Sequence, residues 1–221
     1  MKIAIVHDYL NQYGGAEKVV ETLHEIFPSA PIYTSIYISE NMPDNFRKMD
    51  IRTSFVQKLP FINKHYKKYF LVYPLAFKNF NLTGYDVILT SSSAYAKGVV
   101  IPKSAAHICY CYTPARFIWR YEQYMEQEKI NAAEKSVIFF LTRLMKNWDI
   151  KTAGNVDYFI STCENIRDRI KTVYGRDSAV IYPPVEIKKF YISNKVKDYF
   201  LVVSRFSAYK RIDIVIEAFN K

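Results

Sequence analysis

No stretch of this 221-residue chain is long and apolar enough to span a membrane: half of its residues are hydrophobic, yet the longest apolar runs are of strand length, short of the ~18 uncharged apolar residues a span needs. The amino-terminal run Ile3-Ala4-Ile5-Val6 lacks the longer apolar region and small-residue cleavage site of a secretory leader, so a cytoplasmic location is expected. Cysteine is scarce. Cys109, Cys111 and Cys163 lie in apolar, strand-like sequence and read as buried thiols; a Cys-x-Cys pair without a neighbouring His-x-x-x-His does not supply the about four ligands of a zinc site. No Gly-x-Gly-x-x-Gly is present, which disfavours a nicotinamide-dependent oxidoreductase. No aspartate stands two residues from another, so an Asp-x-Asp metal-binding pair is missing. There is no RRM, KH, OB or helix-turn-helix signature, and no nucleic-acid partner is expected. Internal repeats and low-complexity tracts are also lacking.

What is present is positive charge. A formal net charge of +10 and a pI near 9.3 call for an anionic partner: nucleic acid, lipid head groups or a phosphorylated small molecule. Lys58, Lys64, Lys67, Lys68 and Lys78 are interleaved with Phe61, Tyr66, Tyr69, Phe70, Tyr73, Phe77 and Phe80. That mixture suits an anionic membrane surface, with Lys64, Lys67 and Lys68 as contacts. It equally suits a solvated helix whose aromatic side is core.

Ile3 to Val6 reads as a buried strand, and Ala16, Val19, Val20, Leu23, Ile26 and Phe27 follow at helical spacing, the opening unit of a doubly wound α/β fold. Further short apolar runs at 32–36, 87–90, 99–101, 108–112, 158–161 and 180–182 read as strands of a parallel sheet. Two long helix-compatible stretches, 57–80 and 122–151, are insertions where an acceptor could bind. Pro183-Pro184 and the charged run after it mark a boundary, giving a Rossmann-like domain at 1–185 and a linker at 186–198. At 199–221 a strand (199–204), a loop and a helix (Ile212, Val215, Ile216, Phe219) read as the first β–α unit of a truncated second domain.

Two loops carry chemistry. Tyr13-Gly14-Gly15-Ala16-Glu17 joins the first strand to the first helix; its glycines allow left-handed dihedrals and close approach, and the free N–H groups of the helix start favour an anion. Ser204-Arg205-Phe206-Ser207-Ala208-Tyr209-Lys210-Arg211 places Arg205 and Lys210 where a diphosphate leaving group could be neutralised. Cations at a helix start oppose its dipole, so an anionic ligand accounts for them.

His7-Asp8-Tyr9-Leu10 with Gly14-Gly15-Ala16-Glu17, the run Cys109-Tyr110-Cys111-Tyr112-Thr113-Pro114-Ala115-Arg116, Tyr174-Gly175-Arg176 leading to Val180-Ile181-Tyr182-Pro183-Pro184-Val185, and Ser204-Arg205 with Lys210-Arg211 together resemble family 4 retaining glycosyltransferases. The likeness is to the mannosyltransferase-like branch of bacterial surface-polysaccharide synthesis. It covers essentially the whole chain. It implies a GT-B fold, with an amino-terminal acceptor domain facing a carboxy-terminal nucleotide-sugar domain across a cleft. It implies donor contacts at Gly14, Gly15, Arg205 and Lys210, and acceptor contacts at His7, Asp8 and Arg116. Relatives often carry a histidine where this chain has Tyr112, whose phenol can hydrogen-bond a sugar but cannot act as a base near neutral pH; His107 lies nearby as the other catalytic candidate. The expected activity is metal-independent transfer of a hexose such as mannose, from GDP-mannose or a UDP-sugar, to a lipid-linked or oligosaccharide acceptor, with no cofactor. The glutamate pair that family members carry in the second domain is not found, so this chain alone is expected to be inactive. The alternative is a non-catalytic acceptor-binding or membrane-docking domain.

Overall fold

The structure, a computed structural model, describes residues 1–120, 132–195, 197–204, 206 and 210–220. Seven strands form one parallel sheet: β1 (Ile3–His7), β2 (Ile32–Thr34), β3 (Ile51–Thr53), β4 (Val87–Ser92), β5 (Ala106–Cys111), β6 (Tyr158–Ser161) and β7 (Ser178–Val180). Their order is β3-β2-β1-β4-β5-β6-β7. Among the described residues the helices are α1 (Gly15–Ile26), α2 (Ile62–His65), α3 (Tyr73–Lys78), α4 (Arg116–Trp119), α5 (Ala132–Gly154), α6 (Glu164–Tyr174) and α7 (Ile212–Phe219). This is the doubly wound Rossmann-like architecture expected.

The chain winds outward from β1 to β3, then returns to lay β4 on the other side of β1. The carboxyl ends of β1 and β4 therefore face a topological switch point, where parallel sheets leave a crevice for ligands. Both faces of β1 are covered. Ala4 and Val6 join one apolar cluster with Ile88, Tyr73, Phe77 and Ile118, while Ile5 joins a second with Val20, Ile32 and Phe46, which is why the strand reads as continuously apolar. A third cluster, under α6, contains Cys109 and Cys111, both buried free thiols; Cys163 is half-buried. Helix α6 stops at Gly175, whose φ of +67° is the left-handed C-terminal turn that glycine adopts without strain.

Several boundaries differ from those expected. Residues 99–101 are not a strand; they follow a 3-10 turn (Ala96–Gly98) that packs so closely on α5 that a Cβ on Gly98 would run into the Trp148 ring. The short edge strand β3, Ile-Arg-Thr, is half-exposed and carries no apolar run in the sequence. The stretch 57–80 is broken into a 3-10 turn (Phe55–Lys58), α2, a second 3-10 turn (Tyr66–Tyr69) and α3, with Pro60 and Pro74 in the run. Its aromatics turn inward: Tyr73 and Phe77 are core, and Tyr66, Tyr69, Phe70 and Phe80 pack against it. Lys64, Lys67 and Lys68 stay in solvent, with Phe61 the exposed ring. Of the second insertion, 132–151 lies in α5, and 121–131 lie outside the described residues. Residues 199–204 form no strand among the described residues, because a strand needs a neighbour for its backbone groups; Phe200 instead packs on Phe219 of α7 at 4.9 Å. Among the described residues from Ile181 to Val203 the large apolar side chains are exposed.

A buried ion pair ties the sheet to the helices. Lys97 donates to Asp149 and to the Ala94 carbonyl (3.0 Å), while the other Asp149 oxygen accepts from Trp119 Nε1 (2.6 Å) and Tyr174 Oη (2.7 Å). Burial would lower the Lys97 pKa, but the Asp149 charge and hydrogen bond hold it above its ordinary value. Removing one partner leaves an uncompensated buried charge. Lys97→Met is therefore expected to cost about 3–5 kcal/mol in urea unfolding, and the double variant Lys97→Met/Asp149→Asn should recover part of that loss.

Candidate functional site

At the switch point a cavity of ≈ 470 Å³ opens above the ends of β1 and β4. Its floor is built by Asp8, which is fully buried and belongs to the turn that leaves β1. One carboxylate oxygen accepts from the N–H groups of Ser93 (2.6 Å) and Ala94 (3.0 Å) and from Ser93 Oγ (2.9 Å); the other accepts from the N–H groups of Tyr95 (2.8 Å) and Ala96 (2.7 Å). The Asp8 carbonyl in turn accepts from the Ser35 hydroxyl after β2. Asp8 thus binds three strand ends together, and both of its carboxylate oxygens are engaged within the chain.

Beside it, a chain of proton donors runs from His7 to Tyr112. Tyr112 Oη donates to the Ala16 carbonyl (2.9 Å), so its oxygen accepts from Ser91 Oγ (2.8 Å). Ser91 Oγ is then an acceptor for His7 Nδ1 (3.0 Å), which also donates to the Ser91 carbonyl (3.0 Å). His7 turns Nε2 toward Glu17 Oε1 at 3.8 Å. Burial pushes the Glu17 carboxyl up, yet the hydrogen bond and charge of His7 and the N–H groups of Glu17 and Gly14 pull it below its ordinary value. The second Glu17 oxygen accepts from Gly14 N (2.8 Å), so the glycine turn is pinned by the same carboxylate. Burial, first of several causes, raises the Tyr112 phenol well above its ordinary pKa, which leaves it a hydrogen-bond donor.

Neither glycine adopts a left-handed conformation: Gly14 is extended, with φ of −136°, and Gly15 begins α1. What Gly15 contributes is space, since a Cβ there would meet nothing and would project into the opening. Arg116, Ser204 and Lys210 also line the cavity. The structure thus brings together His7, Asp8, Gly15, Arg116 and Lys210 of the expected site, with Gly14 and Tyr112 one hydrogen bond behind. Arg205 lies outside the described residues.

His107 is not brought to the cavity. It stands near the amino end of β5, fully buried, with Nε2 on Thr90 Oγ1 (3.0 Å) and Nδ1 on the Asn155 carbonyl (3.1 Å). Glu17 and Ser91 join the site only in the structure. The signal for Glu17 was its place three residues after Gly14, and for Ser91 the change from apolar to hydroxyl side chains along Leu89-Thr90-Ser91-Ser92.

No protein-family model and no curated protein matches the chain. Among solved structures it is similar to Anabaena Alr3699/HepE in complex with UDP, at 12% identity and a TM-score of 0.52, covering 88% of this chain and 47% of that one. A second similar structure is the wall teichoic acid polymerase TagF, at 9% identity and a TM-score of 0.36, covering 79% of this chain and 36% of that one. The chain spans less than half the length of either. The likeness to the UDP complex establishes a shared Rossmann-like fold. Among the described residues, no helix is long and apolar enough to cross a membrane.

His107 gives a pH signature. Burial holds its pKa down at about 4, against an ordinary 6.5, so between those values the unfolded chain binds more protons than the folded one. Its stabilising contribution is complete above pH 6.5 and is lost as the pH falls toward 4, by up to about 3 kcal/mol. Urea midpoints measured across this range should show the loss, and His107→Gln should flatten it.

Proposed function

We propose that this chain forms the acceptor-side half of a GT-B glycosyltransferase that moves a hexose, mannose among the candidates, from a nucleoside-diphosphate sugar to a lipid-linked or oligosaccharide acceptor. Retention at the anomeric carbon and independence of metal belong to this reading, which follows the family 4 resemblance. The observation that carries it is the cavity at the β1/β4 switch point, where a glycine-lined helix start meets Arg116 and Lys210. The fold shared with a UDP-bound protein supports a nucleotide ligand there.

In this reading the start of α1 and Lys210, together with Arg205, receive the donor diphosphate and stabilise the charge it gains as the sugar bond breaks. His7, fixed by Ser91 and Glu17, presents its imidazole to the sugar or the acceptor hydroxyl. Tyr112 holds the start of α1 through the Ala16 carbonyl rather than exchanging protons. Asp8 shapes the floor, because its carboxylate is already saturated. Arg116 faces the acceptor. Lys64, Lys67 and Lys68, with exposed Phe61, Leu71 and Leu75, form a basic and apolar surface that fits peripheral attachment to an anionic membrane. Residues 1–185 would be the acceptor domain, 186–198 the linker and 199–221 the start of the donor domain.

The test is kinetic, in a protein carrying both domains. Arg205→Ala and Lys210→Ala should each lower kcat/KM for the nucleotide sugar by about 10²-fold, the usual scale for losing a charge-stabilising group in a desolvated site, with the acceptor KM unchanged. Changes smaller than about twofold for both variants would contradict the assignment.

A further inference from the structure

Glu17 carries more charge than its structural task requires. As the third residue of α1 it accepts from Gly14 N through one carboxylate oxygen (2.8 Å), a bond that a glutamine could make as well. The other oxygen, Oε1, stands 3.8 Å from His7 Nε2, beyond the ~3.2 Å reach of a hydrogen bond. Both side chains are buried, His7 at 3% exposure and Glu17 at 7%, yet both line the cavity at the ends of β1 and β4. Both are also anchored. The Nδ1 of His7 is held by the Ser91 carbonyl and Oγ (3.0 Å each), Ser91 Oγ by Tyr112, and Tyr112 by the Ala16 carbonyl, one residue before Glu17. The contacts that fix His7 thus return to the start of α1, and the two atoms are set side by side before any ligand arrives. Burial pushes the Glu17 carboxyl up, but the hydrogen bond and charge of His7 outweigh it, so Oε1 faces the cavity as a charged acceptor.

Two fixed polar atoms at this spacing suit one chemical group. Adjacent hydroxyls on a sugar ring lie about 2.9 Å apart, the length of a hydrogen bond. One of them can donate to Oε1 while its neighbour bonds Nε2, which a hydroxyl does equally as donor or as acceptor. A phosphate oxygen placed against Oε1 would meet like charge, which leaves this corner of the cavity to a neutral part of the ligand. Asp8 offers no rival acceptor, because both of its carboxylate oxygens are engaged by the turn after β4. We propose that His7 and Glu17 form a clip for a vicinal diol, with Glu17 as a specificity-determining residue of the cavity. A hexose and the ribose of a nucleotide both carry such a diol. Placing either one in a transfer reaction rests on the glycosyltransferase reading above; the clip itself does not.

The test reads the imidazole itself, by ring-nitrogen NMR of the chain, whose four histidines keep the His7 signals separable. UDP is the probe for a ribose diol, and the methyl α-glycosides of mannose, glucose and galactose are the probes for a hexose diol. A saturable shift of the His7 ring nitrogens is expected with UDP or with at least one glycoside. The analogue lacking either hydroxyl of that diol, 2′-deoxy-UDP or the monodeoxy glycoside, should bind at least about tenfold more weakly. In Glu17→Gln, which keeps an acceptor for Gly14 N, the parent ligand should lose affinity by a similar factor. Should that variant melt lower than wild type, the deoxy comparison in wild type decides alone. A response to UDP assigns the ribose, and a response to a glycoside assigns the hexose. Silence of His7 toward every probe would overturn the clip, as would equal binding of the diol ligand and its deoxy forms. UDP that binds without moving His7, with the glycosides silent, sinks the clip and leaves the donor reading standing. A glycoside response without UDP binding supports the clip and counts against the donor reading.

Discussion

Four consecutive backbone N–H groups, from Ser93 to Ala96, converge on the buried carboxylate of Asp8, and the shape of the cavity follows from that convergence. The strands on either side of a switch point lead their connections away from each other, so something must hold the turn after β4 against the turn after β1. A charged acceptor does so more firmly than a neutral one, and it places a negative charge under the cavity already compensated by peptide dipoles. Asp8, to which the motif resemblance gives an acceptor contact, has both carboxylate oxygens engaged by the Ser93–Ala96 segment.

The same turn carries the second constraint. One residue beyond the Asp8 clamp, Lys97 enters the interior and meets Asp149, which also holds Trp119 and Tyr174. A buried pair of this kind adds little net stability compared with apolar packing, but it tolerates no register shift in the elements it joins. Here those are the β4 turn, α4, α5 and α6. Through Trp119 and Tyr174, one carboxylate oxygen of Asp149 holds α4 and α6 against α5.

Much of this was legible in the residues. The apolar runs of β1, β4, β5 and β6 and the 3.6-residue period of α1 needed no tertiary information, because parallel strands buried on both faces and an amphipathic helix write themselves into the chain. Residues 99–101 and 199–204 have the same local pattern without being strands, since an apolar run becomes a strand only where a neighbour supplies its hydrogen bonds. The interleaved aromatics of 57–80 were open to two readings, and packing decided that most of them are core. At the site, the glycine turn and the cations were visible as motifs. The His7 to Glu17 contact and the Asp8 clamp were not, because each partner set is assembled from separate strand ends. His107 shows the reverse: a titratable residue five positions before Tyr112 along the same stretch is carried to the opposite end of the strand and into the core.

The claim that Asp8 builds the cavity is open to direct measurement by amide hydrogen exchange at Ser93, Ala94, Tyr95 and Ala96, in wild type and in Asp8→Asn. In wild type these amides should be protected to a degree comparable with β1 and β4. In the variant, which presents an amide N–H₂ to two of the four donors, their exchange should accelerate by about 100-fold or more while the strands stay protected. Unchanged protection of the four amides in Asp8→Asn would contradict the clamp and return Asp8 to the list of groups available to a ligand.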